Sequence, residues 1–181
     1  MSDLKPSSHR NELKAISKGP KGRLRHLALS VPDPWKAAKF YMEAFGMEKV
    51  GETDSPLAVG VYLSDGVINL ALLHYKTDEM AGKERGRDYT GPHHLGFWVD
   101  DVAASQKAIE AAGGHWWMGE VAKDGNSFYE VKFRDPDNCI VDISASGWGG
   151  ATKDGTEQAR GPKLKNENLV ASRETLTATT S

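Results

Sequence analysis

The chain has 181 residues, 39% of them hydrophobic and 27% charged, with a formal net charge of −2. That length holds one ordinary domain or two small modules sharing a core, and the near-neutral balance gives no field to draw in nucleic acid or an anionic membrane. Cys139 is the only cysteine, which excludes an intrachain disulfide and makes a reducing, cytoplasmic setting the expectation, and no apolar run approaches a membrane span or the core of a secretory signal.

Residues 1–22 are rich in Lys, Ser and Gly and read as a tail. A β-rich run from Leu24 to Val31 follows and ends at Pro32-Asp33. Ala37, Ala38, Tyr41 and Phe45 then fall on one face of a helix that Gly46 stops. Three short strands come next, Glu48 to Gly51, Ala58 to Leu63 and Val67 to His74, with Ser64-Asp65-Gly66 as a turn. Residues 76–92 are charged and contain glycine, as a loop would. A second β-rich run, His94 to Val99, leads into a helix through Val102, Ala108, Ile109 and Ala112 that ends at Gly113-Gly114. Strands follow at His115 to Val121, Phe128 to Phe133 and Cys139 to Ser144, with Asp135-Pro136-Asp137-Asn138 as the turn. Residues 147–181, biased to Gly, Thr, Lys and Asn, read as a second extension.

The two halves are copies. At an offset of 68 residues His26 meets His94, Leu27 meets Leu95, Val31 meets Val99 and Asp33 meets Asp101, and the same frame carries Gly46 to Gly114 and Glu52 to Glu120. The domain is therefore expected at 23–146, with module one at 23–75, a linker at 76–92 and module two at 93–146. The fold class is α+β: two βαβββ modules whose strands curl into a cup.

This paired βαβββ pattern, with a histidine on each first strand, resembles the vicinal oxygen chelate superfamily, which includes glyoxalase I, extradiol dioxygenases and bleomycin-resistance proteins. His26-Leu-Ala-Leu, His94-Leu-Gly-Phe, the Phe40-Tyr41…Phe45-Gly46-Met47 helix end and Asp135-Pro136-Asp137-Asn138 carry the resemblance over residues 23 to 146. It implies metal ligands on the first and last strands of both modules: His26, His94, Asn69 and Asp142. Asn69 and Asp142 are also repeat-equivalent once a five-residue insertion is allowed, and each lies between aliphatic neighbours. Two imidazoles and a carboxylate suit an open divalent cation: Fe(II) is favoured, with Mn(II), Zn(II), Ni(II) and Co(II) also compatible.

Other residues give softer signals. His93 neighbours His94 and should point to the opposite face of the strand, so it is read as a non-ligand. Trp98 shares the parity of His94 and should line the cup as a substrate-binding wall, with Tyr129 adding to it. Glu52 and Glu120 are candidate acid/base groups, although exposed strand-end carboxylates are the commoner reading. Arg85 and Arg87 are a candidate anion clamp or a solvated charge run, and Cys139 is expected to enter a buried strand and be inert.

Taken together, the chain reads as a metal-dependent enzyme acting on a small molecule that chelates through neighbouring oxygens, with a homodimer expected from the family. An extradiol-dioxygenase-like reaction is preferred: the first module's third strand carries no carboxylate, and the resemblance implies a glutamate base where this chain has Asn69. A glyoxalase-like lyase or isomerase is the alternative, and a small-molecule binding or resistance protein is the third reading.

Overall fold

The structure is a computed structural model and describes residue 13, residues 18–120 and residues 130–154. Alternating apolar residues form β1 (Gly22–Ser30), and Asp33 then caps helix α1 (Pro34–Phe45) by accepting from the Trp35 and Lys36 backbone N–H groups, both at 3.0 Å. Gly46, at φ 65°, ends that helix in the left-handed conformation. Strands β2 (Glu48–Asp54), β3 (Ala58–Ser64) and β4 (Asn69–Tyr75) complete module one. A short helix, α2 (Asp78–Ala81), lies in the linker. Module two repeats the plan with β5 (Gly91–Val99), α3 (Val102–Ala111), β6 (His115–Met118), β7 (Val131–Arg134) and β8 (Ile140–Ser144). Asp101 caps α3 as Asp33 caps α1.

All eight strands join one curled sheet in the order β2-β3-β4-β1-β5-β8-β7-β6. Each module pairs its first and last strands in parallel, and the two first strands, β1 and β5, meet antiparallel at the seam. One core cluster gathers Ala38, Val61, Leu63, Leu70 and Leu72, with Leu27 and Leu29 packed against it; another gathers Val99, Val102, Val131, Phe133 and Ile143. The helices cover these clusters and leave the opposite face of the sheet to form the cup. Among the described residues, no helix is long and apolar enough to cross a membrane.

Several expectations need correction. Ala38 and Tyr41 face inward on α1 as predicted, but Phe45 is 68% exposed: it is the last helical residue, and its ring lies against Phe40 and Tyr41. Cys139 is exposed rather than buried: it belongs to the turn, and the strand starts at Ile140. The C-terminal segment also does more than its composition suggests. Through Thr152 it packs back on the sheet: Thr152 N–H donates to Val67 O at 3.3 Å, Arg25 Nε donates to Thr152 O at 2.7 Å, and Ser64 Oγ donates to Gly150 O at 2.8 Å. The ordered unit thus extends past residue 146.

Candidate metal centre

One row of residues crosses the sheet and builds the site. Cα partners run Asn69 on β4, His26 on β1, Gly96 on β5, Asp142 on β8 and Lys132 on β7. Direct partners in a sheet share a face, so all these side chains enter the cup. Gly96 is the gap in the row. A Cβ there would lie 2.7 Å from His26 Cβ and 2.8 Å from Trp148 Cζ2, so only glycine lets both rings in.

His26, His94 and Asp142 are buried, and one ligand atom from each lies within 4.8 Å of the others. His26 Nε2 is 3.1 Å from His94 Nε2, which is 3.2 Å from Asp142 Oδ2. The ring tautomers follow from the hydrogen bonds. Asn69 Nδ2 donates to Gly149 O at 2.7 Å, which turns its amide oxygen toward His26 Nδ1 at 3.0 Å. His26 therefore carries its proton on Nδ1 and presents a bare Nε2. His93 Nε2 donates to Ala81 O at 2.7 Å, leaving the single lone pair of its Nδ1 to accept from His94 Nδ1 at 2.9 Å, with the Tyr75 hydroxyl 3.1 Å from the same nitrogen. His94 likewise presents a bare Nε2.

Electrostatics keep both rings uncharged. Burial pushes His26 down to about 4, and burial together with Lys132 pushes His94 well below the usual histidine range, so both rings are neutral at pH 7. Two imidazole lone pairs and a carboxylate oxygen thus converge with no proton between the rings. In addition, Asp142 Oδ1 is buried without a hydrogen-bond partner among the described residues. Convergent bare donors and an orphaned carboxylate oxygen are what a divalent cation satisfies, and separations near 3 Å suit neighbouring ligands at bond lengths of about 2.1 Å. The residues fit a metal held by His26, His94 and Asp142. Asn69 has its oxygen on His26 and its nitrogen on Gly149, so in this arrangement it orients a ligand instead of offering itself as one.

His93 departs from the simple alternation. The β1–β5 register pairs Ala28 with His94 and Leu29 with Pro92, so His93 has no partner of its own. That bulge brings both histidine rings to one side, in an edge-on contact with centroids 5.1 Å apart.

Three groups that sequence reasoning missed complete the site. Lys132 Nζ donates to Asp142 Oδ2 and, at 2.9 Å, to Glu130 Oε2. Burial alone would lower the Lys132 ammonium, but Asp142 and Glu130 hold it well above the lysine range, so the proton of the Lys132–Asp142 pair resides on the lysine. Burial likewise pushes the Asp142 carboxyl up, against the pull of Lys132. Glu130 would also be raised by burial, but the charge of Lys132 and the hydrogen bonds from Lys132 and Trp148 outweigh that and bring it to about 2. Trp148 stacks on His26 with centroids 5.0 Å apart and donates Nε1 to Glu130 Oε1 at 2.5 Å. A cavity of about 230 Å³ lies against Trp148, Asn69, Tyr62 and Glu130, and another of about 90 Å³ lies against His26, His94, Tyr62, Glu130 and Lys132. Glu130 and Lys132 alternate, which puts them on one face, but alternating charges ordinarily mark a strand's solvent face. Trp148 was hidden because it follows the last strand.

The other predicted residues lie elsewhere. Trp98 faces inward as its parity implies, but Gly147 packs on its ring, where a Cβ would approach to 2.5 Å, and its Nε1 donates to Ala145 O at 3.0 Å. It lines neither of the two cavities. Tyr129 lies outside the described residues. Glu52 is exposed and paired with Lys49, and Glu120 is exposed beside Trp116 and Gly119. Arg85 donates to the His93 carbonyl and lies over Tyr89, so in this arrangement it braces the linker.

Residues 23–143 match the profile of the Glyoxalase/Bleomycin resistance protein/Dioxygenase superfamily. The chain belongs to that superfamily. Among curated relatives, a probable lactoylglutathione lyase of Vibrio parahaemolyticus is 28% identical over 130 residues, 67% of this chain and 89% of the relative. An ethylmalonyl-CoA/methylmalonyl-CoA epimerase of Cereibacter sphaeroides is 27% identical over 129 residues, 67% of this chain and 96% of the relative. Among solved structures, a Streptomyces coelicolor methylmalonyl-CoA epimerase superposes with a TM-score of 0.57 at 18% identity, covering 70% of this chain and 97% of its own. The Mycobacterium tuberculosis epimerase gives 0.57 at 15%, covering 73% and 93%. These likenesses show that the chain shares its fold with those epimerases.

Proposed function

We propose that this chain is a metal-dependent enzyme of the lyase and isomerase branch, moving a proton within a small substrate held by two neighbouring oxygens. The observation that carries the reading is Glu130. Preference for a dioxygenase rested on the lack of a carboxylate base at Asn69 and on the third strand of module one, and Glu130, immediately before β7, supplies one that lines both cavities. Curated relatives named as a lyase and epimerases support the same branch. With dioxygen no longer required, the reason for favouring Fe(II) falls away, and the two imidazoles and one carboxylate suit Zn(II), Mn(II), Ni(II) or Co(II) equally.

His26, His94 and Asp142 would hold the metal, which when bound polarises the substrate's oxygens and acidifies the adjacent C–H. Glu130 is ionised throughout the neutral range, so it accepts a proton at either oxygen without prior deprotonation. Its low basicity confines it to carbon acids already activated by chelation. Trp148 and Lys132 hold its carboxylate in place, and Trp148 keeps water from one face of His26.

The test is deuterium wash-in under nitrogen, with the metal-loaded protein offered a hemithioacetal, methylmalonyl-CoA and simple 2-hydroxy ketones. Exchange at the carbon beside the chelating oxygens should fall about 10²- to 10⁴-fold in Glu130→Gln. Oxygen uptake with catechols, and no exchange with any carbon acid, would return the chain to the dioxygenase branch.

The same reading includes a homodimer. Trp35, Phe40 and Phe45 expose 52%, 56% and 68% of their surfaces on α1, an apolar load that a second copy would relieve. Sedimentation showing only a 19.7 kDa species at micromolar concentration would oppose it.

A further inference from the structure

The repeat aligns one more pair of residues inside the cup. The 68-residue offset that brings His26 onto His94 also brings Tyr62 onto Glu130. The sheet keeps this correspondence. Ser64 pairs with Asn69 in module one, Lys132 pairs with Asp142 in module two, and Tyr62 and Glu130 each stand two residues before that pair's first member. Residues two apart on an extended chain share a face. Among the described residues, Tyr62 and Glu130 alone line both the cavity of about 230 Å³ beside Trp148 and the cavity of about 90 Å³ beside His26 and His94. A substrate that spans the two cavities therefore meets Tyr62 from module one and Glu130 from module two.

The pair has diverged in kind: one member accepts a proton and the other offers a hydrogen bond. Tyr62 has room for its ring because its partners are small, Gly51 on β2 and Ala71 on β4. A Cβ on Gly51 would come within 3.2 Å of Tyr62 Cδ2. Burial raises the phenol above its ordinary value and a hydrogen bond from Thr53 draws it back, so the hydroxyl stays protonated at pH 7. As the acceptor in that bond it keeps its own O–H for a ligand. When a carbon acid gives its proton to a carboxylate, the C–H electron pair moves onto the neighbouring oxygen, and a donor already aimed at that oxygen lowers the barrier. We propose that Tyr62 is a catalytic residue of this site, its hydroxyl donating a hydrogen bond to the substrate oxygen that gains charge as Glu130 takes the carbon-bound proton. Tyr62 keeps its own proton throughout. This inference rests on the proton-transfer reading above.

The test compares the Zn(II)-loaded full chain with Tyr62→Phe, which keeps the ring and removes only its oxygen. Two chelating probes separate the charged oxygen from the uncharged one: acetohydroxamate, which bears negative charge on adjacent oxygens as an enolised substrate does, and glycolamide, which is neutral. Calorimetry should show acetohydroxamate binding weakened about 10- to 100-fold in Tyr62→Phe, the loss expected for one hydrogen bond to a charged group. Glycolamide binding and Zn(II) content should stay within about threefold of wild type, because the bond is made in full only once charge develops. Deuterium wash-in by Tyr62→Phe should fall about 10²- to 10³-fold. Equal losses for both probes, no loss for either, or departure of Zn(II) from the variant would make Tyr62 a packing residue and overturn the inference. Exchange that is present in wild type and undiminished in Tyr62→Phe would also overturn it, and would leave the proton-transfer reading intact. Tyr62-dependent binding of acetohydroxamate by a wild-type protein that exchanges no carbon-bound hydrogen would instead overturn the proton-transfer reading and keep the hydrogen bond.

Discussion

Module one and module two share a plan and divide the labour unequally. Module one brings a histidine and an amide, His26 and Asn69, and a third strand whose residues from Ala58 to Leu63 carry no charge. Module two brings a histidine with three charged groups, Asp142, Glu130 and Lys132. The registers differ as well. His26 lies directly opposite Asn69, whereas His94 lies opposite Ile140 and Asp142 falls two residues further along, opposite Gly96. In module one the last-strand polar residue therefore meets the back of its own histidine ring. In module two the same strand slides its carboxylate toward the pair of Nε2 atoms, and the back of the ring is held by His93 instead. Duplication fixes which strands face the cup, and a two-residue difference in register decides which group becomes a ligand and which becomes a brace.

The largest test of this asymmetry is to remove the last-strand residue from each module in metal-free protein. Asp142→Ala leaves the buried Lys132 short of a partner, a loss of about 3–5 kcal/mol when one member of a buried ion pair is deleted. Asn69→Ala removes neutral hydrogen bonds from the buried His26 ring, a loss of about 1–3 kcal/mol. Urea denaturation should rank the two variants in that order. Equal losses would mean that module two's charge network is no more demanding than module one's amide.

Trp148 belongs to neither module and leans on both, stacking on His26 and bonding Glu130. With only 7% of its surface exposed, its truncation to alanine should destabilise the protein by about 3 kcal/mol, at the low end for a large buried aromatic. A chain ending at Ser146 would lose this contact together with the Gly149 and Gly150 carbonyl acceptors of Asn69 and Ser64. Retention of full stability by that truncated chain would restore the view of this segment as a dispensable extension.

Next come the two braces. Asn69→Ala frees His26 and His93→Ala frees His94, and loss of an orienting partner behind a metal-bound imidazole weakens metal affinity about 10- to 100-fold. Competition with a chromophoric chelator would read both. If His93→Ala left affinity unchanged, the opposite-face placement expected from plain strand alternation would describe that residue better than the bulge does.

Much of this was legible in the sequence, for reasons that explain where legibility stopped. The order of strands and helices and the inward parity of His26 and His94 follow from periodicity and the 68-residue repeat, which are local properties of the chain. The His93 bulge is not local. It arises from how β5 pairs with β1, and Pro92, which has no N–H to give the ladder, is its only local hint. Lys132 and Glu130 were hidden by a different prejudice: alternating charges on a strand read as its solvent face, although here that face is the inside of the cup. Gly96 was visible as a glycine, but its purpose needs Trp148, which is distant in sequence and follows the last strand.

The smallest expected effect tests how far the repeat can be trusted. Glu52 and Glu120 are equivalent by the same offset that aligns His26 with His94, and on that ground alone they qualify as a second functional pair. Their surroundings differ from those of the histidines. Glu52 is exposed at the β2 edge, where Lys49 holds its carboxylate below the usual range through a hydrogen bond and its charge. Glu120 is exposed at the opposite edge of the sheet, beyond β6. Neither lines the cavities beside the histidines. An exposed carboxylate at a sheet edge gains little from one surface lysine and holds no substrate atom, so replacing it should change stability by no more than about 0.5 kcal/mol. Glu52→Ala and Glu120→Ala, singly and together, should leave metal affinity and deuterium wash-in within twofold of wild type, while Glu130→Gln, which has no repeat partner of its own kind, should not. A loss of exchange in the double variant would mean that the edges of the cup, and not only the row from Asn69 to Lys132, take part in the chemistry.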